Sequence, residues 1–275
     1  MKKLKKSLLW ILFIAIWCVF GVDGLDASVV YAETEGDWEY TILEDGTVEI
    51  TNYTGSATEV VVPDVIAGMK VTSLGSYSLS YKEFVTITLP NGLINIGNGA
   101  FEYSDIESIS LPNTVTSVGE GVFSDSYGLR EVTLSTAMTE IPKNMFCNCE
   151  LRKVEIPANI THIGSYAFYN NDELSSVSLN SGLEKIGYQA FYDCDILQEV
   201  IIPDTVQVVS EDAFSKCDFL KEVTLSEGVV ALEENAFSNC DMIEKIVIPK
   251  SMEILEGAAF YGCSGLKEIV ISSGV

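Results

Sequence analysis

The stretch LKEVTLSEGVVALEENAFSNC, residues 220–240, contains the pattern that decides the fold of this chain. It is one copy of a unit that reads Leu-x-x-Val-x-Leu, then proline or serine, then an apolar series ending in Ala-Phe-x-x-Cys. The phenylalanine recurs every 22 or 23 residues, and Leu79 takes its place one unit earlier; the series is Phe101, Phe123, Phe146, Phe168, Phe191, Phe214, Phe237 and Phe260. So regular a period indicates a solenoid of stacked repeats.

Each unit contains two kinds of apolar spacing. The Val-x-Leu segment alternates with a period of two, which predicts a short β-strand with two side chains in the core. The next apolar residues, Val229, Leu232, Ala236 and Phe237 in the quoted unit, are three or four apart, which favours a short helical or 3-10 turn. We therefore predict an α/β solenoid, dominated by β structure and right-handed, with one parallel sheet of about ten short strands.

The first 32 residues have the composition of a signal peptide. Four lysines in residues 1–7 precede an apolar run over residues 8–22, and Val30-Tyr31-Ala32 offers small residues to a signal peptidase. Fifteen apolar residues are short for a membrane span, which needs about 20. Cleavage after Ala32, rather than retention as a membrane anchor, is the expected outcome.

Two further segments follow the signal peptide. Alternating residues on both sides of Glu44-Asp45-Gly46 predict a β-hairpin, and we interpret residues 33–56 as a cap over the first edge of the solenoid. Residues 57–275 form the repeat region, whose last repeat is incomplete. This incomplete end also allows a second interpretation, in which the chain is a spacer for a separate C-terminal functional or wall-anchoring domain.

The charge balance restricts the class of partner. The chain has 16 Lys and Arg against 40 Asp and Glu, for a net charge of −24 at pH 7, and loss of residues 1–32 would leave −26. Nucleic acid and anionic lipid are poor partners for such a surface, because each phosphate contact needs a cation. The single histidine excludes a His-rich metal site and argues against Ser-His-Asp or Cys-His catalysis.

The spacing I-P-x-x-V-x-x-I-G-x-x-A-F resembles the BspA-like leucine-rich repeats of bacterial surface proteins. The segment GDWEYTILEDGTVEITNYTG, residues 36–55, resembles the opening segment of such proteins, and the likeness extends over about residues 37–275. The resemblance implies a secreted or surface-displayed, non-enzymatic module that adheres to a protein or glycan, for example host matrix or another cell. It implies no catalytic or cofactor-binding residue.

Side chains that point outward from the predicted strands are the candidate contact surface, because they have no packing role. Cations are scarce in this chain, yet three of them gather on two neighbouring strands, and a cationic cluster is the expected foothold for an anionic ligand. The candidate ligand-binding residues are Arg130, Arg152, Lys153, Glu131 and Glu155. The alternative is that the cations form ion pairs with Glu107, Glu131 and Glu155.

The cysteines recur three places after the phenylalanine, at Cys149, Cys194, Cys217, Cys240 and Cys263, with Asn171 interrupting the series. Equivalent side chains of stacked repeats lie about 5 Å apart, beyond the 3.5–4.5 Å or so between the Cβ atoms of a disulfide, so we expect free, packed thiols. No C-x-x-C motif accompanies them, and we expect no metal or cofactor.

Three other patterns have both a structural and a functional interpretation. The acidic residues that follow the cysteine position favour turn capping, with a calcium site as the alternative; they are Asp105, Glu150, Asp172, Asp195, Asp218 and Asp241. Glu199 and Glu222 lie in adjacent repeats at the separation of the two carboxylates of a retaining glycosidase. An open sheet offers no evident substrate pocket, however, so we do not expect an enzyme. Tyr169 and Tyr192 either pack on the turns or stack against a sugar.

Overall fold

The computed structural model describes residues 32–273 and residue 275. The predicted signal peptide therefore lies outside the described residues, apart from Ala32. Within the described residues, the regular secondary structure consists of strands joined by turns, and no helix is long and apolar enough to cross a membrane.

The N-terminal strands form the predicted hairpin. Strands β1 (Glu33–Glu35), β2 (Trp38–Ile42) and β3 (Val48–Tyr53) pair in antiparallel order. Asp45 fixes the turn between β2 and β3, because its Oδ1 accepts hydrogen bonds from the Thr47 N–H at 2.9 Å and from the Thr47 hydroxyl at 2.7 Å. Strand β3 then pairs in parallel with β6 (Met69–Leu74), which also pairs with β5 (Val65–Ile66), so the hairpin covers the first edge of the repeats.

The alternating segment of each repeat forms one strand of what we call the first sheet. Its ten strands are β4 (Glu59–Val61), β7 (Thr86–Thr88), β9 (Ser108–Ser110), β11 (Glu131–Thr133), β13 (Lys153–Glu155), β15 (Ser176–Ser178), β17 (Glu199–Ile202), β19 (Glu222–Leu225), β21 (Lys245–Ile248) and β23 (Glu268–Ile271). The ladder divides into β4-β7-β9-β11 and three parallel pairs, β13-β15, β17-β19 and β21-β23. The predicted parallel strands of a solenoid are confirmed.

The predicted helical or 3-10 turn is wrong, and so is the single sheet. A second row of short parallel strands stands in its place, which we call the second sheet, although its ladder divides between β10 and β12. Its strands are β6, β8 (Asn95–Ile96), β10 (Ser117–Val118), β12 (Glu140–Ile141), β14 (His162–Ile163), β16 (Lys185–Ile186), β18 (Val208–Val209), β20 (Ala231–Leu232) and β22 (Ile254–Leu255). The spacing of three from Val229 to Leu232 arises because Val229 directly follows the turn at residues 227–228 and Leu232 ends strand β20. Corners and helices both return an apolar side chain inward after three or four residues, and the sequence pattern cannot separate them.

The Ala-Phe segment forms the third side of each repeat, which we call the turn side. Here the N–H of Phe191 donates to the Ala213 carbonyl of the next repeat at 2.8 Å, and the N–H groups of Gln189 and Asp193 donate in the same direction. The residues two before and two after the phenylalanine have positive φ, for example 51° at Gln189 and 58° at Asp193. This alternation produces a stack of hydrogen-bonded turns instead of a helix.

The phenylalanines form a continuous stack through the core. From Phe101 to Phe237 every one of these side chains is fully buried, and neighbouring rings lie 5.0–5.5 Å apart with interplanar angles of 18° or less. Phe260, in the last complete repeat, is only partly buried. Stacked aromatic rings bury a large apolar area at every repeat, so this column is the main source of packing between repeats.

The cysteine position has a structural explanation. Each thiol donates to the carbonyl of the phenylalanine in the preceding repeat, for example Cys194 Sγ to Phe168 O and Cys217 Sγ to Phe191 O, both at 3.2 Å. The position therefore selects a small side chain that carries a donor. All six cysteines in the described residues are unpaired, and burial raises the pKa of the Cys194 thiol, which disfavours the reactive thiolate.

Asn171 occupies the cysteine position with a poorer fit. Its Nδ2 donates to Phe146 O at 2.7 Å, but its buried Oδ1 has no hydrogen-bond partner within the described part of the chain. We expect Asn171→Cys to raise the free energy of unfolding by about 1 kcal/mol, since it removes an unsatisfied oxygen and keeps a donor. Urea denaturation under reducing conditions measures this. The reciprocal Cys194→Asn should destabilise the protein, and a gain in that variant would contradict the explanation.

Candidate functional site

The candidate ligand residues lie at an open groove on the outward face of the first sheet. The groove encloses about 650 Å³ across strands β7, β9, β11 and β13. Its charged lining is Arg130, Glu131, Arg152 and Lys153, and its hydroxyl lining is Thr86, Ser108, Ser110 and Thr133. A rigid wall of strands thus presents cations and hydroxyl groups together, which suits an anionic group with several acceptor oxygens.

The strand register positions these side chains. Val132 and Val154 point into the core, so their neighbours Glu131 and Lys153 point outward. The arginines precede the two strands, and the Arg152 N–H donates to the Arg130 carbonyl at 3.1 Å, which makes them neighbours in adjacent repeats. The strand register thus brings Arg130, Glu131, Arg152 and Lys153 to one groove.

The three cations differ in their ion pairing. Arg130 Nη2 lies 2.7 Å from Glu150 Oε2, and Arg130 Nη1 donates to the Gly128 carbonyl at 2.8 Å. Arg152 and Lys153 form no salt bridge within the described residues. Arg130 is therefore held in place by a carboxylate, whereas the other two cations are available to a ligand.

Two details differ from the sequence prediction. Arg130 pairs with Glu150 instead of the predicted Glu107, Glu131 or Glu155, because the Glu150 N–H donates to the Leu129 carbonyl and this bond places Glu150 beside Arg130. Glu155, at the far end of strand β13, is exposed but does not line the groove. The hydroxyl residues of the groove were missed, although the outward register of Ser108, Ser110 and Thr133 was legible in the sequence.

Glu199 and Glu222 lie opposite each other in the β17–β19 register, as their equivalent positions predict. They line a second open groove of about 350 Å³ on the same face, together with Lys153, Lys221 and the hydroxyl residues Ser175 and Ser176. This groove continues the polar surface of the first sheet toward the C-terminal repeats.

The acidic positions after the cysteines lie close enough to repel one another. Burial raises the pKa of the Asp195 carboxyl, and the charges of Asp172 and Asp193 raise it further. Asp241 accepts a hydrogen bond from the Ser264 hydroxyl of the next repeat at 3.0 Å, which is a turn-capping contact. Among the described residues, no group of three or more His, Cys, Asp or Glu side chains is arranged to hold a metal ion.

Solved structures of similar proteins come from several bacteria. A leucine-rich cell-surface protein of Faecalibacterium prausnitzii is 20% identical, with 90% of this chain and 96% of that chain covered and a TM-score of 0.43. A leucine-rich-repeat protein of Bacteroides ovatus is 21% identical, with 89% of both chains covered and a TM-score of 0.44. One from T. pallidum is 21% identical, with coverage of 86% and 91% and a TM-score of 0.43.

The sequence comparison identifies the family. No curated protein matches the chain in sequence. Residues 52–175 and 161–275, however, match the BspA type leucine rich repeat region in six copies. These ranges include all the repeats whose parallel strands and stacked phenylalanines are described above, and the chain therefore belongs to the BspA-type leucine-rich-repeat family.

Proposed function

We propose that this protein is a secreted or surface-displayed binding module that recognises an acidic protein or glycan on the first sheet. The observation that carries this proposal is the 650 Å³ groove in which Arg152 and Lys153 have no salt-bridge partner within the described residues. On this proposal the module is non-enzymatic, and its role is adhesion. The signal-peptide pattern of residues 1–32 supports export to the cell surface or the medium.

The chemistry of the groove favours a planar anionic group. The guanidinium of Arg152 presents a fork of donors that matches a carboxylate or sulfate, and the Lys153 ammonium adds a point charge. Thr86, Ser108, Ser110 and Thr133 supply hydroxyl groups that donate to further oxygens. Arg130 also lines the groove, where its ion pair with Glu150 fixes the position of its guanidinium.

The net negative charge of the molecule makes the cations of this groove important for binding an anion. A ligand with negative charge is repelled at long range by a chain of net charge −24, so only a local excess of cations gives it a stable contact. Electrostatic complementarity of this kind mainly sets specificity and association rate.

The proposal is tested by reversing the two unpaired cations. We expect Arg152→Glu/Lys153→Glu to remain folded, because exposed substitutions usually change stability by no more than about 0.5 kcal/mol each. The variant should lose at least about tenfold in affinity for any acidic ligand that wild type captures from a panel of matrix proteins and sulfated or sialylated glycans, as measured by surface plasmon resonance.

A matched control separates the groove from net charge. Lys70→Glu/Lys250→Glu makes the same change in charge at two exposed lysines outside the groove, and should bind as wild type does. If wild type and the Arg152/Lys153 variant bind the acidic ligand equally well, the proposal is wrong. An equal loss in both variants would also contradict it, since net charge alone would then explain the binding.

A further inference from the structure

Tyrosine is concentrated on one side of the repeats. Nine tyrosines of the described chain lie on the turn side or beside it, namely Tyr77, Tyr81, Tyr103, Tyr127, Tyr166, Tyr169, Tyr188, Tyr192 and Tyr261. The other two described tyrosines, Tyr40 and Tyr53, pack in the N-terminal cap. The turn side therefore differs chemically from the sheet face that carries the cationic groove.

The first repeats place tyrosine where the backbone disfavours it. The positions two before and two after the phenylalanine have positive φ and are mostly filled by glycine, asparagine or aspartate, which tolerate that conformation. At Tyr77, Tyr81 and Tyr103 the φ angles are 58°, 55° and 55°. A bulky side chain in this region is strained, so each of these tyrosines has a conformational cost that glycine or asparagine would largely avoid.

Burial in the core does not offset this strain, because the tyrosine side chains are largely exposed. Tyr77, Tyr81, Tyr103 and Tyr127 are 58%, 70%, 41% and 57% exposed. The rings of Tyr81 and Tyr103 stack on each other, with centroids 4.9 Å apart and an interplanar angle of 14°. We call these four residues the tyrosine patch.

Polar groups beside the patch are held in fixed positions. Asp125 Oδ1 accepts hydrogen bonds from the Tyr127 hydroxyl at 3.2 Å and from Asn148 Nδ2 at 2.6 Å. Burial raises the pKa of the Glu102 carboxyl, and the nearby charge of Asp125 raises it further. Carboxylate oxygens therefore cluster at the edge of the stacked rings.

A small open groove adjoins the patch. It encloses about 200 Å³, and its lining consists of Tyr77, Asn98, Gly99, Glu102, Glu120, Gly121, Ser124 and Asn144. The Tyr77 ring lies over Gly99, where a Cβ would overlap it, so the glycine makes room for the ring. The lining combines one aromatic wall with carboxylate and amide acceptors, and it contains no lysine or arginine.

The geometry points to a binding site for a neutral oligosaccharide, formed by the tyrosine patch and this groove. Flat tyrosine rings offer an apolar surface to the C–H face of a sugar ring, while sugar hydroxyl groups donate to Glu102, Glu120 and Asp125. A small set of fixed polar groups beside an aromatic wall is the usual composition of such sites. Acidic sugars would meet carboxylates without a cation, so a neutral ligand fits best.

This site is independent of the proposed function. The cationic groove lies on the first sheet and would bind an anion, whereas the tyrosine patch lies on the turn side and would bind an uncharged ligand. Each can therefore fail without the other.

The decisive variant is Tyr81→Asn/Tyr103→Asn. Asparagine is the residue that later repeats use at these positive-φ positions, as at Asn148 and Asn170, so the variant should be at least as stable as wild type in thermal denaturation. Binding is measured by isothermal titration calorimetry with cellohexaose, mannohexaose, maltohexaose and chitohexaose as neutral probes, and with a hyaluronan hexasaccharide as the acidic probe. We expect wild type to bind a neutral probe, and the variant to raise its Kd about tenfold or more.

Tyr261→Ala is the matched control, since Tyr261 is 69% exposed on the same side but lies in the last complete repeat. It should bind as wild type does. Failure of all four neutral probes to bind wild type would overturn the proposal, and so would tighter binding of the acidic probe. A double variant that binds the neutral probe as wild type does would also overturn it.

Discussion

Phe191→Ala is expected to lower the free energy of unfolding by about 3–5 kcal/mol, the usual cost of truncating a buried phenylalanine. The ring is fully buried in the middle of the stack, 5.0 Å from both Phe168 and Phe214. Its removal leaves a cavity that neither neighbour can fill, because the backbone hydrogen bonds of the turn side hold the repeats at a fixed spacing. Urea denaturation followed by circular dichroism measures the loss.

The adjacent residue is the control for this prediction. Tyr192 also stacks on an equivalent ring, Tyr169, at 5.0 Å, but it is only partly buried. Tyr192→Ala should therefore cost much less than Phe191→Ala. Similar losses for the two variants would show that the phenylalanine column is not the main source of packing between repeats.

Gly164→Ala is expected to destabilise the protein by about 1–3 kcal/mol, the range for overpacking a tight contact. Gly164 follows strand β14, and a Cβ there would lie 2.6 Å from the Lys143 nitrogen and 2.8 Å from the Pro142 carbonyl carbon of the preceding repeat. Both neighbours are backbone atoms, so no side-chain rotation relieves the overlap. The Gly164 N–H bond to Ile141 O, now 2.8 Å, would lengthen as the repeats separate.

Gly92→Ala provides the comparison, because it adds the same Cβ at an exposed turn where the nearest atom, Val71 O, is 3.9 Å away. Its φ lies outside the positive range, so we expect a change within about 0.5 kcal/mol. Thermal denaturation of both variants, with hydrogen exchange at residue 164, tests the difference. If Gly164→Ala is as stable as Gly92→Ala, the close approach of adjacent repeats does not limit this position.

The sequence predicted the residues of the core better than the path of the chain between them. The phenylalanine period and the alternation before it identified the buried column, the first-sheet strands and the family. The period-three spacing after the proline or serine, in contrast, was interpreted as a helical turn and is the second sheet, β8 to β22. Inward side chains recur at three or four residues both on a helix and around a corner, and only backbone hydrogen bonds distinguish the two.

The candidate site shows the same division. Outward register placed Arg130, Arg152 and Lys153 together, because equivalent residues of stacked repeats must be neighbours. The ion pair between Arg130 and Glu150 could not be predicted from the strand register, because ion pairing depends on side-chain rotamers and on the turn that precedes each strand. The sequence pattern indicated Tyr169 and Tyr192 but none of the residues of the tyrosine patch, because the positive φ at Tyr77, Tyr81 and Tyr103 exists only in the folded turn.

The sequence by itself thus determined which residues face the core, how often the unit repeats and which family the chain belongs to, because these follow from a 22–23-residue period and from polarity. Only the tertiary structure showed that each repeat has three sides and that the thiols donate hydrogen bonds to the phenylalanine carbonyls. It also showed which cations have no salt-bridge partner within the described residues. The physical reason is that polarity is a property of each residue, whereas hydrogen bonds and ion pairs between repeats are made by residues about 20–26 positions apart.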